Sequence, residues 1–187
     1  MADTLNFTKE TGTGAGDATT YADVDDADAY FGGHLYASAW TAADDAHKKS
    51  ALVMATRLID AEYQFNGVQT TDSQALAWPR YRCPDPDRDP VARIGRLLIW
   101  ENWLPENLVP KNVVEATCEM ARELLIADRT AAPVGEGLKY YNAAGGVQTG
   151  YDKTDRRPVL SQVAQVMLSK YGSQISAKSG SVRLVRV

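Results

Sequence analysis

The apolar residues between positions 45 and 63 recur at helical spacing, and this periodicity constrains the fold more than any other feature. Thr41 followed by Asp44 resembles a capping box with Asp in the place usually taken by Glu, so the pattern predicts a helix from there to about Tyr63. The charged residues of this stretch lie largely off the apolar face. We therefore expect a helix that is buried along one side. The predicted buried face consists of Ala51, Leu52, Ala55, Leu58, Ile59 and Tyr63.

A second long helix is predicted from Pro110 to about Asp128. Proline suits the first turn of a helix because its missing N–H needs no partner there. Glu119 and Arg122 are expected to pair on the solvent side of this helix, three residues apart. The predicted buried face consists of Val113, Thr117, Met120, Ala121, Leu124 and Leu125.

Three shorter helices are also predicted. Asp23 is a suitable N-cap for a helix that ends at Gly32. Residues 94–104, which precede a proline, form a short apolar helix in this interpretation. A last helix is expected to begin at Pro158 and to end at Gly172. Its predicted apolar face consists of Val159, Val163, Val166 and Met167.

The remaining segments predict turns and one hairpin. Residues 64–93 contain Asn-Gly and the proline-rich CPDPDRDP, so they are expected to be irregular. Residues 137–152 predict two short strands about an Ala-Ala-Gly-Gly turn. The predicted fold class is therefore mainly α: a small bundle of three to five helices with a β-hairpin and extended N- and C-terminal arms. The predicted division is a flexible arm at 1–20, one helical domain at 21–172 and a C-terminal arm at 173–187.

Composition narrows the class of protein. The chain has 187 residues, 44% of them hydrophobic and 24% charged, which is typical of one soluble globular domain. No apolar run is long enough to span a bilayer, and the N-terminal residues lack the order of a signal peptide, so we expect no membrane partner and a cytoplasmic place of work or assembly. Residues 1–45 contain nine acids and one base, whereas residues 153–187 contain seven bases and one acid. The net charge of −4 is thus unevenly distributed.

Catalytic and metal-binding patterns are weak. GxSxG, HExxH and P-loop sequences do not occur, and neither His34 nor His47 has a neighbour at metal-ligand spacing. Cys83 and Cys118 lie far apart and are expected to be free thiols. The acids at 23–28 lack the glycine and the final Glu of a calcium loop, so helix capping is the preferred interpretation. We expect no enzyme activity, no cofactor and no metal. A metal-dependent hydrolase built on these acids is the least favoured function, behind the two that are described below.

The sequence Trp78-Pro79-Arg80-Tyr81-Arg82 permits two interpretations. Alternating aromatic and cationic residues can hold single-stranded nucleic acid through base stacking and attraction to phosphate. Alternatively, Trp78 fills the core, Pro79 fixes the direction of the chain and Arg80 pairs with a nearby acid. The second interpretation is favoured because a single-strand binder is expected to carry several such clusters along a groove.

Five segments taken in order resemble a phage protein family. They are similar to segments of proteins labelled DnaT-like and of the head-to-tail adaptor (connector) proteins of tailed phages. The segments are YADVDDADAYFGGH, ALVMATRLIDAEYQFNG, ALAWPR, VPKNVVEATCEMARELL and the final RLVRV. The resemblance covers about residues 21–128, and the segment IGRLLIWENWLPENLVP is longer than the usual link. It implies a structural protein of the virion neck that forms a ring of about twelve copies between the portal and the tail or neck proteins. Double-stranded DNA would cross the lumen of that ring without specific binding.

The resemblance also implies roles for particular residues. The C-terminal arm would dock on the portal, Trp78, Pro79 and Arg80 would be a structural anchor or interface, and Lys139 and Lys153 would face the lumen or its DNA. The alternative is a DnaT-like replication protein that binds single-stranded DNA, with binding that weakens steeply as salt rises. The expected docking residues are Arg183, Leu184, Val185, Arg186 and Val187.

Overall fold

The computed structural model of the chain has a mainly helical fold, which confirms the predicted class. Among the described residues, no helix is both long and apolar enough to cross a membrane. The structure describes residues 5–88, 92–94, 97–99, 102–131, 140–143, 147–150 and 158–175. These residues form the helices α1 (Val24–Phe31), α2 (Ser38–Thr41), α3 (Asp45–Glu62), α4 (Lys111–Ile126) and α5 (Gln162–Leu168).

Short strands connect the helices as four antiparallel pairs within the described residues. The strands are β1 (Tyr63–Phe65), β2 (Val68–Gln69), β3 (Arg80–Tyr81), β4 (Ala92–Ile94), β5 (Leu97–Ile99), β6 (Tyr140–Ala143), β7 (Val147–Gly150) and β8 (Gly172–Gln174). β1 pairs with β8, so the end of α3 is joined to the segment that follows α5. β2 pairs with β3, β4 with β5, and β6 with β7.

Helix α4 lies at the centre of the helical body, where it contacts each of the other four helices. Its residues Val113, Ala116 and Met120 are fully buried, and so are Leu52 and Ile59 of α3. Burial of one such aliphatic side chain stabilises the fold by about 1.5–3 kcal/mol. The predicted buried faces of the two long helices therefore form the core that the other elements cover.

Two predicted helix starts had different outcomes. Asp23 caps α1 in a capping box: its carboxylate accepts from the Asp26 N–H at 2.8 Å, and the Asp26 carboxylate accepts from the Asp23 N–H at 3.0 Å. The predicted cap at Thr41 was wrong, because Asp44 itself caps α3 by accepting from the His47 N–H at 2.8 Å. Thr41 instead ends α2, a helix that was not predicted.

The helix predicted over residues 94–104 was wrong. The structure has β4 and β5 there, with Ala92 opposite Ile99. Gly95 stands between these strands in the sequence and would lie within the first turn of the predicted helix, where a glycine is less favourable than other residues, so strand pairing prevails. The hairpin predicted within 137–152 is confirmed, because β6 pairs with β7. The described part of residues 64–93 is irregular as predicted, apart from short strands.

The apolar face of α5 also differs from the prediction. Val163 and Val166 are exposed, whereas Leu160, Ala164 and Leu168 are fully buried. This segment is apolar on two faces, and the face with the two leucines packs against the core. Gly172 does not end the helix but begins β8. Any other residue at position 172 would place its Cβ atom 2.3 Å from the Gln64 carbonyl oxygen, so the close pairing with β1 requires glycine.

Glu119 is buried, although it was expected on the solvent side of α4. Its carboxylate accepts from the Tyr30 hydroxyl at 2.9 Å and from Arg122 Nη2 at 3.0 Å, and it lies 3.2 Å from His34 Nε2. The predicted pair with Arg122 is therefore present, but in the interior. Partners from the distant α1 region make this burial possible, since a buried carboxylate needs hydrogen bonds to replace water.

Residues 5–20 lie against the helical body. Ala18 is part of the hydrophobic core, Phe7 and Ala15 pack against it, and Lys9 forms a parallel bridge with Thr20. The carboxylate of Glu10 is buried and accepts hydrogen bonds from the backbone of the turn that follows it. The structure thus describes a packed segment where a flexible arm was expected, while the domain division at residue 20 stays a prediction.

Candidate nucleic-acid interface

The Trp78–Pro79 turn points its aromatic ring inward. Trp78 has no exposed surface, and its ring makes edge-to-face contacts with Phe65 of β1 and Tyr171, at centroid distances of 5.5 and 5.8 Å. The peptide bond between Trp78 and Pro79 is cis. In this arrangement the indole ring contributes to the core and cannot stack on a base.

A buried hydrogen-bond network holds the turn against α3. Asp60 accepts from the Tyr21 hydroxyl at 2.5 Å and from the Ala77 N–H at 3.0 Å. The Tyr21 hydroxyl in turn accepts from the Trp78 N–H at 3.2 Å. Burial raises the pKa of Asp60 despite these hydrogen bonds, and burial together with Asp60 raises the pKa of Tyr21. The network therefore joins the segment before α1, helix α3 and the turn.

We expect Asp60→Asn to lower the free energy of unfolding by about 1–3 kcal/mol, because an amide nitrogen would face one of the two donors now bound by the carboxylate. A raised pKa means that protonation favours the folded state, so the contribution of Asp60 is full below about pH 4 and declines as pH rises through its folded-state pKa. The stability gap between wild type and Asp60→Asn should therefore narrow with rising pH in urea titrations. The exposed Asp17→Asn serves as the control, and a gap that widens would contradict the assignment.

Gln74 and Arg80 complete the turn. Gln74 accepts from the N–H groups of Thr70 and Thr71, and it donates to the carbonyl oxygens of Leu76 and Pro79. Arg80 donates to three carbonyl oxygens, at distances of 2.6–3.0 Å. Its partners are thus backbone groups and not the acid that was expected. These acceptors belong to Asn66, Gly67 and Ala77.

Tyr81 and Arg82 face outward from the same turn. Tyr81 is 43% exposed and lies opposite the exposed Val68 in the β2–β3 pair. The guanidinium carbon of Arg82 is 5.1 Å from the centroid of the Tyr81 ring, within cation–π distance. Arg82 has φ +55°, a left-handed conformation that reverses the alternation of side chains, so that Cys83 is buried. Val68, Tyr81 and Arg82 together are called the Tyr81 surface below.

The groups beside the Tyr81 surface are paired or neutral. Asp85 lies 3.2 Å from Arg88, and Asp87 lies 3.9 Å from Lys170, so each carboxylate faces a cation. Burial raises the pKa of Cys83 to about 11, which keeps its thiol protonated near neutral pH. The surface therefore presents an aromatic ring and a guanidinium without an adjacent unpaired acid among the described residues of this turn.

The other candidate residues do not join this surface. Lys139, Lys153 and residues 183–187 lie outside the described residues. In the acidic stretch, Asp23 and Asp26 cap α1 and contact Lys9. Among the described residues, no group of three or more His, Cys, Asp or Glu side chains is arranged to hold a metal ion.

A family described as "Putative DnaT-like ssDNA binding protein" matches residues 5–187. The chain belongs to this family. The match covers all the elements described above, including the turn that carries the Tyr81 surface. No curated protein and no solved structure matches the chain.

This family assignment corrects the resemblance to head-to-tail adaptors, which was wrong. The family is described by single-stranded DNA binding, and nothing in the comparisons indicates a phage connector. That resemblance was the basis for three inferences: the dodecameric ring, the portal and tail partners, and double-stranded DNA that crosses the ring without being bound. These inferences are overturned with it. The alternative, single-stranded DNA binding, is the interpretation that the family supports.

The sequence-based interpretation did not separate the inward from the outward residues of the WPRYR segment. It selected Trp78, Pro79 and Arg80, whereas the structure exposes Tyr81 and leaves Arg82 against its ring. The available signal was the single apolar residue Cys83 directly after Arg82, which indicates a return to the core. Asp60 gave no such signal, because its partners come from distant parts of the chain.

Proposed function

We propose that the chain binds single-stranded DNA through the Tyr81 surface. The observation that carries this proposal is the outward Tyr81–Arg82 pair at the end of a turn that is otherwise fixed in the core. An exposed aromatic ring can stack on any base, and a guanidinium beside it can contact a phosphate or stack on the next base. The family description supports the same ligand class.

The charge distribution favours local attraction to DNA. The chain has a net charge of −4, so attraction to phosphate must come from particular segments. Residues 153–187 contain seven bases and one acid, and they supply the largest positive excess in the sequence. We therefore expect binding to weaken steeply as salt rises. The absence of enzyme activity and the location in a virion neck or host cytoplasm stay predictions.

Anisotropy titrations of a fluorescent oligo-dT strand test the proposal. Tyr81→Ala should weaken binding about tenfold, because stacking on one aromatic ring contributes about 1–3 kcal/mol. Arg82→Gln should reduce the slope of log affinity against log salt by about 0.7, the value for one phosphate contact on a single strand.

Two variants elsewhere on the protein provide controls. Tyr36→Ala removes a tyrosine that is 74% exposed in the loop before α2, and Lys111→Gln removes an exposed charge at the start of α4. Both should bind the strand within about twofold of wild type. A wild-type chain that does not bind oligo-dT, or Tyr81 and Arg82 variants that match these controls, would refute the proposed site.

A further inference from the structure

Trp103 lies next to the turn that carries the Tyr81 surface. It forms an antiparallel bridge with Pro84. The Leu104 N–H donates to the Cys83 carbonyl at 2.9 Å, and the Asp85 N–H donates to the Asn102 carbonyl at 3.1 Å. Trp103 is 38% exposed, whereas Trp40 and Trp78 have no exposed surface. A partly exposed indole offers a ring face on which a base can stack.

We propose that Trp103 is a second base-stacking residue and that it extends the Tyr81 surface into a track for several nucleotides of a single strand. This inference rests on the proposed function and adds a residue and a minimum ligand length to it. Stacking tolerates every base, so the track selects single-stranded over paired DNA and does not select a sequence.

The backbone brings the residues that carry both rings to the same turn. At the left-handed Arg82 the alternation of side chains is broken, so that Tyr81 and Arg82 are exposed, Cys83 turns into the core and Pro84 is half-buried. Residues opposite each other in an antiparallel pair place their side chains on the same face, so Trp103 faces the side of Pro84. The Thr70 hydroxyl donates to the Glu106 carbonyl at 3.1 Å, which ties the segment of Trp103 to the strand end after β2.

The spacing sets the length of the ligand. The three residue steps from Tyr81 to Pro84 span at most about 10 Å, the value for a fully extended chain, and the partner strand lies about 5 Å further across. Stacked nucleotides advance about 3.4 Å each, so the two rings are separated by at most about three or four nucleotide steps. A strand of about four nucleotides should be the shortest that contacts both rings, and shorter strands should lose the contribution of one of them.

Quenching of tryptophan fluorescence in the full-length chain tests the role of Trp103. Addition of an oligo-dT strand of about four or more nucleotides should quench the emission of wild type, because a base stacks on the exposed indole. Trp103→Phe should lose this quenching but keep its affinity within about threefold, since phenylalanine still stacks. Trp103→Ala should weaken binding about tenfold, and Trp78→Phe, at a fully buried indole, should retain the quenching.

The outcomes distinguish this inference from the proposed function. If wild type binds the strand by anisotropy but Trp103→Ala binds equally well, the role of Trp103 is refuted and the Tyr81 surface stands. Loss of quenching in Trp78→Phe with retention in Trp103→Phe refutes it as well. If wild type binds no single strand at all, the proposed function and the track fail together.

Discussion

Trp78→Ala is expected to lower the free energy of unfolding by about 3–5 kcal/mol, the range for removal of a large buried aromatic side chain. The ring has no exposed surface, and it contacts both Phe65 of β1 and Tyr171 beside β8. Its loss leaves a cavity where the turn, the β1–β8 pair and the end of α5 meet. Because a domain of this size has a net stability of about 5–15 kcal/mol, the variant should unfold at much lower urea concentration.

Trp78→Phe tests how much of this loss comes from ring volume alone. Trp78 Nε1 has no hydrogen-bond partner among the described residues, so phenylalanine forfeits ring volume but no hydrogen bond. We expect a smaller destabilisation, on the order of 1–2 kcal/mol. Under conditions where this variant is folded, its affinity for oligo-dT should equal that of wild type. A Trp78→Ala protein that is as stable as wild type but fails to bind DNA would instead restore the interpretation of Trp78 as a stacking residue.

Features that depend on neighbours in the sequence could be predicted. The capping box of α1 joins Asp23 and Asp26, which are three residues apart, and the buried faces of α3 and α4 follow from helical periodicity. The fold class follows from these elements, since two long amphipathic helices require partners for their apolar faces. Such information is contained within about one or two helical turns of sequence.

Features that depend on distant partners could not be predicted. Glu119 appears solvent-facing in the sequence, but Tyr30, 89 residues away, donates to it in the interior. Asp60 likewise acquires its two donors from segments 39 and 17 residues away. The choice between the two apolar faces of α5 depends on which face the core can accommodate. No local pattern contains these facts.

Three of the five motifs that suggested a phage adaptor share one hydrogen-bond network. Tyr21 opens the first motif, Asp60 lies in RLID and Trp78 lies in AWPR, and the structure joins all three. Their order and spacing therefore describe how the turn is fixed to α3. Residues that fix a turn carry information about the fold, and function must be argued from the side chains that the turn exposes. For this reason the motifs led to the wrong function, and the family match over residues 5–187 corrected it.

Glu10 is the second residue whose replacement should have a large effect. Its Oε1 atom accepts from the N–H groups of Gly12, Thr13 and Gly14 at 2.7–3.0 Å, and its Oε2 atom accepts from Ala15 at 2.8 Å. Glu10→Ala removes a buried charged acceptor from four donors, each of which contributes on the order of 1.5–3 kcal/mol when the others are intact. Since such losses are not additive, we expect a total loss of about 3–4 kcal/mol.

Glu10→Gln provides the matched variant. One amide oxygen can keep the bonds made by Oε1, whereas the amide nitrogen would face the Ala15 N–H, so we expect a loss of about 1–3 kcal/mol. Glu106→Ala, at an exposed glutamate, should change stability by less than about 0.5 kcal/mol. Urea titrations of the three variants measure these differences, and equal stability of Glu10→Ala and Glu106→Ala would contradict the role assigned to Glu10.

The turn held by Glu10 also supports the segment that carries Trp103. Gly12 has φ +97°, and a Cβ atom there would lie 2.0 Å from the Asn107 carbonyl oxygen, so the turn packs directly against that segment. If Glu10 fixes this contact, Glu10→Ala should accelerate hydrogen exchange at Gly12 and also at the Leu104 N–H, which bonds to Cys83. Faster exchange at Gly12 alone would show that the turn opens independently of the strand beside the Tyr81 surface. Acceleration at both amides would connect the N-terminal segment physically to the proposed DNA track.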